Sequence, residues 1–393
     1  MADRPRAGRR PRGRTRTSSY SRSRSKPPRP KHPPAELSKR ARELEQRPSP
    51  RTSHRPVEPD LSQEGAFRAG FVALVGRPNV GKSTILNRLL GRKLAPTTHK
   101  PQTTRLNVLG VLNPSGAQIC LLDTPGHHEA KGPLNRFMVQ QAEQAFADAD
   151  VVAYVVEARP HGRISPGNQR IVRLLQRLDK PIVVAVNKVD RLEDKTALLV
   201  QLESYAQALN PAAVVPVSAK RNSGLERLVR ELGMALPEGE PLYDSETLTD
   251  RPERFIVAEL IREKVILETE QELPYAAAVT VESFEDERPR LVRIEATIHV
   301  ERQNQKGIVI GKGGERLRSI GIRARRELEA FLGAKVHLEQ RVKVSRDWSS
   351  NPARLANLGY TSDGAAAGAI ALEPEAMEEL VRAMQVPAEE DDP

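Results

Sequence analysis

Between residues 69 and 236, short consecutive apolar runs alternate with stretches where apolar residues recur every three or four positions. Phe71-Val72-Ala73-Leu74-Val75 is apolar throughout and partly β-branched, as in a strand buried on both faces. Runs 108–112, 119–122, 151–156, 182–186 and 214–217 have the same character. Helical spacing predicts helices over 84–90, 135–146, 168–178, 195–209 and 225–236. Strands alternating with helices predict an α/β domain with a mostly parallel sheet, helices on both faces and a ligand at the strands' carboxyl ends.

The pattern changes after 237–251, where Pro237, Gly239 and Pro241 precede Asp and Ser and predict a linker. Pro252 opens an amphipathic helix carrying Ile256, Leu260, Ile261, Val265 and Ile266. Alternating segments 277–281 and 292–300 predict strands, and 307–314 contains a glycine-rich turn. A helical run to Leu332 and a last strand over 336–344 follow. Helix, strand, strand, helix, glycine loop, helix, strand is an α+β order, expected as a second domain over 252–346. Trp348 and Tyr360 flank a short helical extension over 347–360, and the lone Trp reads as a packing anchor.

Composition adds the ends. Of 393 residues, the first 60 carry 18 Arg/Lys against 6 Asp/Glu, enough to account for the whole formal net charge of +11. Residues 1–64 are too rich in Arg, Pro and Ser to bury a core, so a disordered basic arm is expected. It can hold nucleic-acid phosphates without sequence preference, as in Ser21-Arg22-Ser23-Arg24-Ser25-Lys26, or be a solvated tail. A transit peptide is a third option, opposed by the lack of apolar positions for an amphipathic helix. The tail over 361–393 is Ala-rich and then acidic, read as partly helical, then disordered. No apolar run is long enough to span a bilayer. The single Cys120 lies in an apolar run, reads as a buried thiol and fits a reducing cytoplasm.

Four motifs follow predicted strands. Gly76-Arg77-Pro78-Asn79-Val80-Gly81-Lys82-Ser83, continued by Thr84, has P-loop spacing between a strand and a helix. Its glycines let the backbone wrap a phosphate, Lys82 would reach the β- and γ-phosphates, and Ser83 would ligate Mg2+. In Asp123-Thr124-Pro125-Gly126 the carboxylate can hold the metal's water shell and the Gly126 amide can meet the γ-phosphate. Asn187-Lys188-Val189-Asp190 selects the base, because the Asp190 carboxylate can accept both adjacent donors of guanine, a pair adenine lacks. The Lys188 stem can cover the base and Asn187 can tie this motif to the P-loop. In Ser218-Ala219-Lys220 the Ala219 amide can meet the guanine carbonyl. The motifs predict a GTPase and oppose an ATP-dependent small-molecule kinase.

In the second domain, Gly311-Lys312-Gly313-Gly314 has the form of the GxxG loop of a KH domain of the second topological type. Such a loop lets a sugar–phosphate backbone lie against protein amides while Lys312 adds charge. Ile308, Ile310 and Ile320 would line a groove for unstacked bases, with Arg316, Arg318, Arg323, Arg325 and Arg326 nearby.

Arg77-Pro78-Asn79-Val80, Pro101-Gln102-Thr103-Thr104-Arg105, Asp123-Thr124-Pro125-Gly126 and Asn187-Lys188-Val189-Asp190 together resemble the Era family of ribosome-assembly GTPases. The resemblance runs from about residue 69 to Tyr360. It implies a P-loop GTPase domain followed by a type II KH domain, with GTP and Mg2+ bound. Thr104, rather than Thr103, is then the Mg2+ ligand of the first switch loop, giving Ser83, Thr104 and Asp123 as the metal set. Lys82, Thr104 and Gly126 would be the catalytic groups. The expected RNA is the 3′ end of small-subunit ribosomal RNA, bound during assembly of the small ribosomal subunit. Peripheral contact with the inner membrane is also implied, and a monomer is expected. Asn79 stands where several potassium-stimulated relatives coordinate K+; bracing the P-loop is its alternative role. Where relatives carry an apolar residue after the DTPG glycine, this chain has His127, then His128. An RNA chaperone that binds GTP but hydrolyses little of it is the alternative function.

Overall fold

Strand β1, Arg68–Val75, is central because its inward positions are apolar on both faces, Val72 to Val75 having no exposure. The other strands are β2 Val108–Leu112, β3 Ala117–Asp123, β4 Val151–Glu157, β5 Ile182–Asn187 and β6 Ala213–Pro216. They form one sheet in the order β2-β3-β1-β4-β5-β6. All neighbours are parallel except β2, which runs antiparallel to β3. Helices α1 Lys82–Leu89, α2 Pro133–Asp148, α3 Pro166–Leu175, α4 Thr196–Leu209 and α5 Leu225–Ala235 are interleaved with these strands. The chain leaves β1 between β3 and β4, opening a crevice at their carboxyl ends, the position at which such sheets hold ligands. The chain is represented by a computed structural model describing residues 56–62, 65–98, 100, 103–125, 132–269, 273, 277–360, 376, 379, 380, 383 and 384.

The second domain opens with α6, Glu253–Glu268. A three-stranded sheet follows: β7 Ala278–Glu287, antiparallel to β8 Leu291–Val300, which is parallel to β9 Lys335–Val344. Helices α7 Gln303–Ile310 and α8 Glu315–Leu332 lie between β8 and β9 in sequence. Val292, Ile294, Ala296, Ile298 and Val300 alternate along β8 and belong to the same buried core as Leu260, Val309 and Leu328 of the helices. The predicted order of elements holds throughout.

The extension staples the domains together. Trp348 is fully buried, as its packing role required, and stacks on Tyr360 with centroids 5.8 Å apart. With Leu355 on α9 (Pro352–Asn357) they share a cluster with Leu106, Phe137 and Met138 of the first domain and Ala278 of the second. Arg105, wholly buried, lies 5.4 Å from the Trp348 centroid and donates to Ala277 O at 2.9 Å.

Two boundaries shift. Residues 56–62, expected in the arm, pack on the first domain: Val57 and Leu61 are buried, with Val57 N donating to Leu89 O and Leu61 N to Ser115 O. Leu61 has a site waiting: a side chain at Gly233 would begin 2.7 Å from a Leu61 methyl. The rest of the arm lies outside the described residues. The linker has neither helix nor strand but is pinned, since Gln118 accepts from Leu242 N and Tyr243 N and donates to Tyr243 O. Of the tail, Leu380, Ala383 and Met384 are buried in the cluster containing Phe146, Ile171 and Leu175, and Glu379 meets Arg170 at 3.3 Å. Cys120 is buried, and burial pushes its thiol up to about 12. Among the described residues, no helix is long and apolar enough to cross a membrane.

Candidate nucleotide site and nucleic-acid interface

The loop from β1 to α1 needs glycine twice. Gly76 has φ of 149° and Gly81 of 107°; a Cβ at Gly76 would fall 2.1 Å from Val155 O, and one at Gly81 2.3 Å from Asn187 Nδ2. Asn79 also lies in the left-handed region, at φ 62°. The loop therefore curls, with Lys82 folded back to donate to Gly76 O at 2.7 Å and Arg77 O at 3.3 Å. Thr124 Oγ1 donates to Leu74 O, fixing the start of the next loop against β1.

Below the curl three oxygen-bearing side chains converge. Ser83 Oγ donates to Asp123 Oδ2 at 2.5 Å and lies 3.1 Å from Thr104 Oγ1, which is 3.4 Å from the same carboxylate oxygen. Thr103 turns elsewhere, its hydroxyl 2.6 Å from that of Thr98 and 2.7 Å from Lys100 O. Asp123 Oδ1 is buried without a hydrogen-bond partner. Burial pushes the Asp123 carboxyl up to about 6 and the Lys82 ammonium down to about 8, each partly offset by the other's charge. Such a site is short of compensating charge: a hard cation would satisfy the carboxylate and an anion the ammonium. An all-oxygen set of two hydroxyls and a carboxylate fits Mg2+, and the orphaned Oδ1 fits a ligand's water shell. A cavity of about 90 Å³ opens here, lined by Pro78, Asn79, Lys82, Ser83, Thr97 and Thr104 among others.

At the other end, Asn187 ends β5 and is 2% exposed. Its Nδ2 donates to Val80 O at 2.8 Å and its Oδ1 accepts from Ala219 N at 3.1 Å, joining the P-loop to the 218–220 loop. That amide, read from the sequence as a contact to the base carbonyl, is here spent on Asn187. Lys188 adopts φ 64°, and its ammonium meets Glu157 at 2.7 Å. Val189 and Asp190 form a short 3-10 turn behind it. Ser218 Oγ donates to Asp190 Oδ1 at 2.5 Å, holding its carboxyl below the usual range and fixing its direction. Lys220 is exposed beside this turn. Thr84 lines the same cavity and Pro125 is buried after Thr124; Gly126, His127 and His128 lie outside the described residues.

In the second domain Gly311, Gly313 and Gly314 have φ of 72°, 63° and 83°. A Cβ at Gly313 or Gly314 would meet nothing within 4 Å, so both backbones face open space with exposed Lys312 between them and Gly311. Ile308 is 39% exposed and Ile310 half-buried, while Arg316 donates to Ile308 O across the turn. Ile320 corrects the sequence reading: it is fully buried in the core, because its turn of α8 faces the sheet rather than the groove. The sequence also missed Gln340, whose carboxamide lies beside Gly321 of α8 and whose Nε2 is buried without a partner. Its only signal was a polar residue in an alternating strand.

Comparison with known proteins agrees with both halves. The family described as "50S ribosome-binding GTPase" matches residues 71–188, and the KH domain family matches 272–349. GTPase Era of Geotalea uraniireducens is 48% identical over 299 residues, covering 76% of this chain and 99% of the relative. GTPase Era of Geobacter metallireducens is 47% identical over 301 residues, with 76% and 99% covered. Among solved structures, an Aquifex aeolicus Era point variant bound to GDP and aluminium fluoride is 40% identical, with a TM-score of 0.70 and coverage of 75% and 100%. Era bound to MgGDPNP and nucleotides 1506–1542 of 16S ribosomal RNA gives the same identity and TM-score, covering 75% and 99%. With the relatives matched over nearly their whole length, this chain belongs to the Era family of GTPases.

Proposed function

We propose that this GTPase is a molecular switch that binds the 3′ end of small-subunit ribosomal RNA through its KH domain during assembly of the small ribosomal subunit. The observation that carries the nucleotide half is the convergence of Ser83, Thr104 and Asp123 beneath a P-loop that two glycines keep open. Ser83 and Thr104 would hold Mg2+ directly and Asp123 would hold its water shell. When bound, the ion would supply Lewis-acid neutralisation of the charge on the β- and γ-phosphate oxygens. Lys82 leaves its carbonyl partners for those oxygens, and the P-loop amides at the start of α1 stabilise the charge that develops on them. Asp190, aimed by Ser218, accepts from the guanine edge and excludes adenine. Asn79, which lies in the left-handed region and lines the cavity, would offer an oxygen to K+ beside the phosphates.

For the RNA half, the open backbone at Gly313 and Gly314 supports close approach of a sugar–phosphate chain. Ribosomal RNA as the ligand follows from the family and from the relative seen with a 16S fragment. Crosslinking in cells followed by sequencing of the bound RNA tests the assignment. Reads concentrated at the 3′ end of the small-subunit RNA are expected; reads scattered over unrelated transcripts would remove it. An RNA chaperone with a structural GTPase domain is the rival, and single-turnover hydrolysis below the rate of free GTP would favour it.

A further inference from the structure

The loop that carries Thr104 is held from outside its own domain. Arg262 of α6 is wholly buried, and its guanidinium grips Glu259 twice, Nε to Oε1 at 2.8 Å and Nη2 to Oε2 at 2.5 Å. The same Nη2 also donates to Thr103 O, the carbonyl immediately before Thr104. One residue along α6, Glu263 Oε2 accepts from Thr97 N at 3.1 Å, at the other end of the loop. Lys100, between them, donates to Ile266 O at 2.8 Å on the last turn of α6. Glu263 is fixed in turn by Lys93 at 2.8 Å and Lys264 at 2.9 Å, and both lysines pair with Glu327 of α8.

A wholly buried ion pair is poor value as a stabiliser, since desolvation cancels most of the attraction and apolar residues of similar volume do as well or better. A guanidinium placed there with one nitrogen shared between its carboxylate and a loop carbonyl fixes a position. The position it fixes is that of Thr104, already 3.1 Å from Ser83 Oγ.

We propose that Arg262, on the first helix of the KH domain, is a positioning residue for GTP hydrolysis. It holds the Thr103 carbonyl where the next residue, Thr104, completes the oxygen set with Ser83 and Asp123. The inference rests on the reading of Thr104 as a Mg2+ ligand. GDP has no γ-phosphate for this loop to close on, so Arg262 acts on the triphosphate state.

The test compares the full-length parent, Arg262→Gln, Thr104→Ala and their combination. A further variant, Glu259→Leu with Arg262→Met, leaves no buried carboxylate unpaired. GDP binding stoichiometry near one identifies folded protein, and the Leu/Met pair decides if Arg262→Gln does not fold. Affinity is measured for GDP and for a non-hydrolysable GTP analogue in Mg2+, together with the single-turnover rate per bound GTP. With a charge-assisted hydrogen bond lost, analogue affinity and rate should each fall about tenfold or more, while GDP affinity stays within about twofold. Adding Arg262→Gln to Thr104→Ala should cost nothing more. Parental affinity and rate in the Arg262 variants, with both lost in Thr104→Ala, would overturn the inference alone. An unchanged Thr104→Ala would overturn the metal-ligand reading and the inference with it. Additive losses would mean that Arg262 does not act through Thr104, which also overturns it.

Discussion

Asn187 offers a demanding test of how the nucleotide site is held together. Its carboxamide bonds Val80 O at 2.8 Å and Ala219 N at 3.1 Å, so one side chain joins the phosphate and base ends. Asn187→Ala leaves a buried carbonyl and a buried amide without partners. At about 1–3 kcal/mol for each stranded group, with partial relief from an entering water, the loss should be about 2–4 kcal/mol. Part appears as folding stability and part as nucleotide affinity, because both loops also face the ligand. Urea unfolding at a fixed saturating GDP concentration reads the sum, and unfolding of the free protein separates the parts. If the whole loss fell on affinity, GDP would bind about 30- to 800-fold more weakly. Gly81→Ala attacks the same bond from the other side, since its Cβ would lie 2.3 Å from Asn187 Nδ2. Its cost should therefore shrink in the Asn187→Ala background, leaving only the backbone strain of φ 107°. A bound-state loss under about 1 kcal/mol for Asn187→Ala, or full additivity with Gly81→Ala, would refute the link.

Asp190→Asn should weaken GTP binding and shift preference toward xanthosine triphosphate, since an amide donates where the carboxylate accepted; a retained GTP preference in competition binding would remove Asp190 from the base pocket. Lys312→Asp with Gly313→Asp should abolish RNA binding in an anisotropy titration and leave GTP hydrolysis at the parental rate, so RNA affinity kept within about threefold would take the glycine loop out of the interface. Intrinsic hydrolysis should be faster in KCl than in NaCl at equal ionic strength and lose that difference in Asn79→Ala; equal rates in the two salts would leave Asn79 as a brace of the P-loop. Leu380, fully buried, should cost about 2–5 kcal/mol in urea when changed to Ala. A loss under about 1 kcal/mol there would mean that Leu380 leaves its cluster before the domain unfolds.

What the sequence disclosed was whatever repeats at the period of an element or sits at a fixed spacing. The strands of the first sheet are legible because burial on both faces makes them apolar without interruption, as in Val151 to Val156. Their ends are less so. β1 starts at Arg68, whose place is set by pairing with Ala117, and nothing in a polar residue announces that. Val57 and Leu61 were hidden by composition: two apolar residues in a basic, proline-rich arm carry no period, and their binding site is made by residues elsewhere in the chain. Thr103 and Thr104 were separable only by resemblance, because neighbouring threonines in a loop have no pattern that says which hydroxyl turns inward.

Helix α6 shows where periodicity misleads. Ile256, Leu260, Ile261, Val265 and Ile266 mark one apolar stripe, which makes Glu259, Arg262, Glu263 and Lys264 look like the solvated side of an amphipathic helix. All four are buried. Ile256, Leu260, Ile261 and Val265 of the stripe join the buried cluster that holds Ile294, Ile298 and Leu328, while the charged side faces Lys93, Thr103 and Glu327. Each charge there is paired: Arg262 with Glu259, and Lys93 and Lys264 with Glu263 and Glu327. A solvated face and a charge-paired interface have the same composition: the Glu259–Arg262 pair is local to the helix, and the groups that cover this face, Lys93, Thr103 and Glu327, lie more than sixty residues away in the chain. Pairing of this kind leaves no signal in a window of one helix. The Thr103 carbonyl, which completes Arg262, is a backbone atom and would be invisible to residue type at any distance.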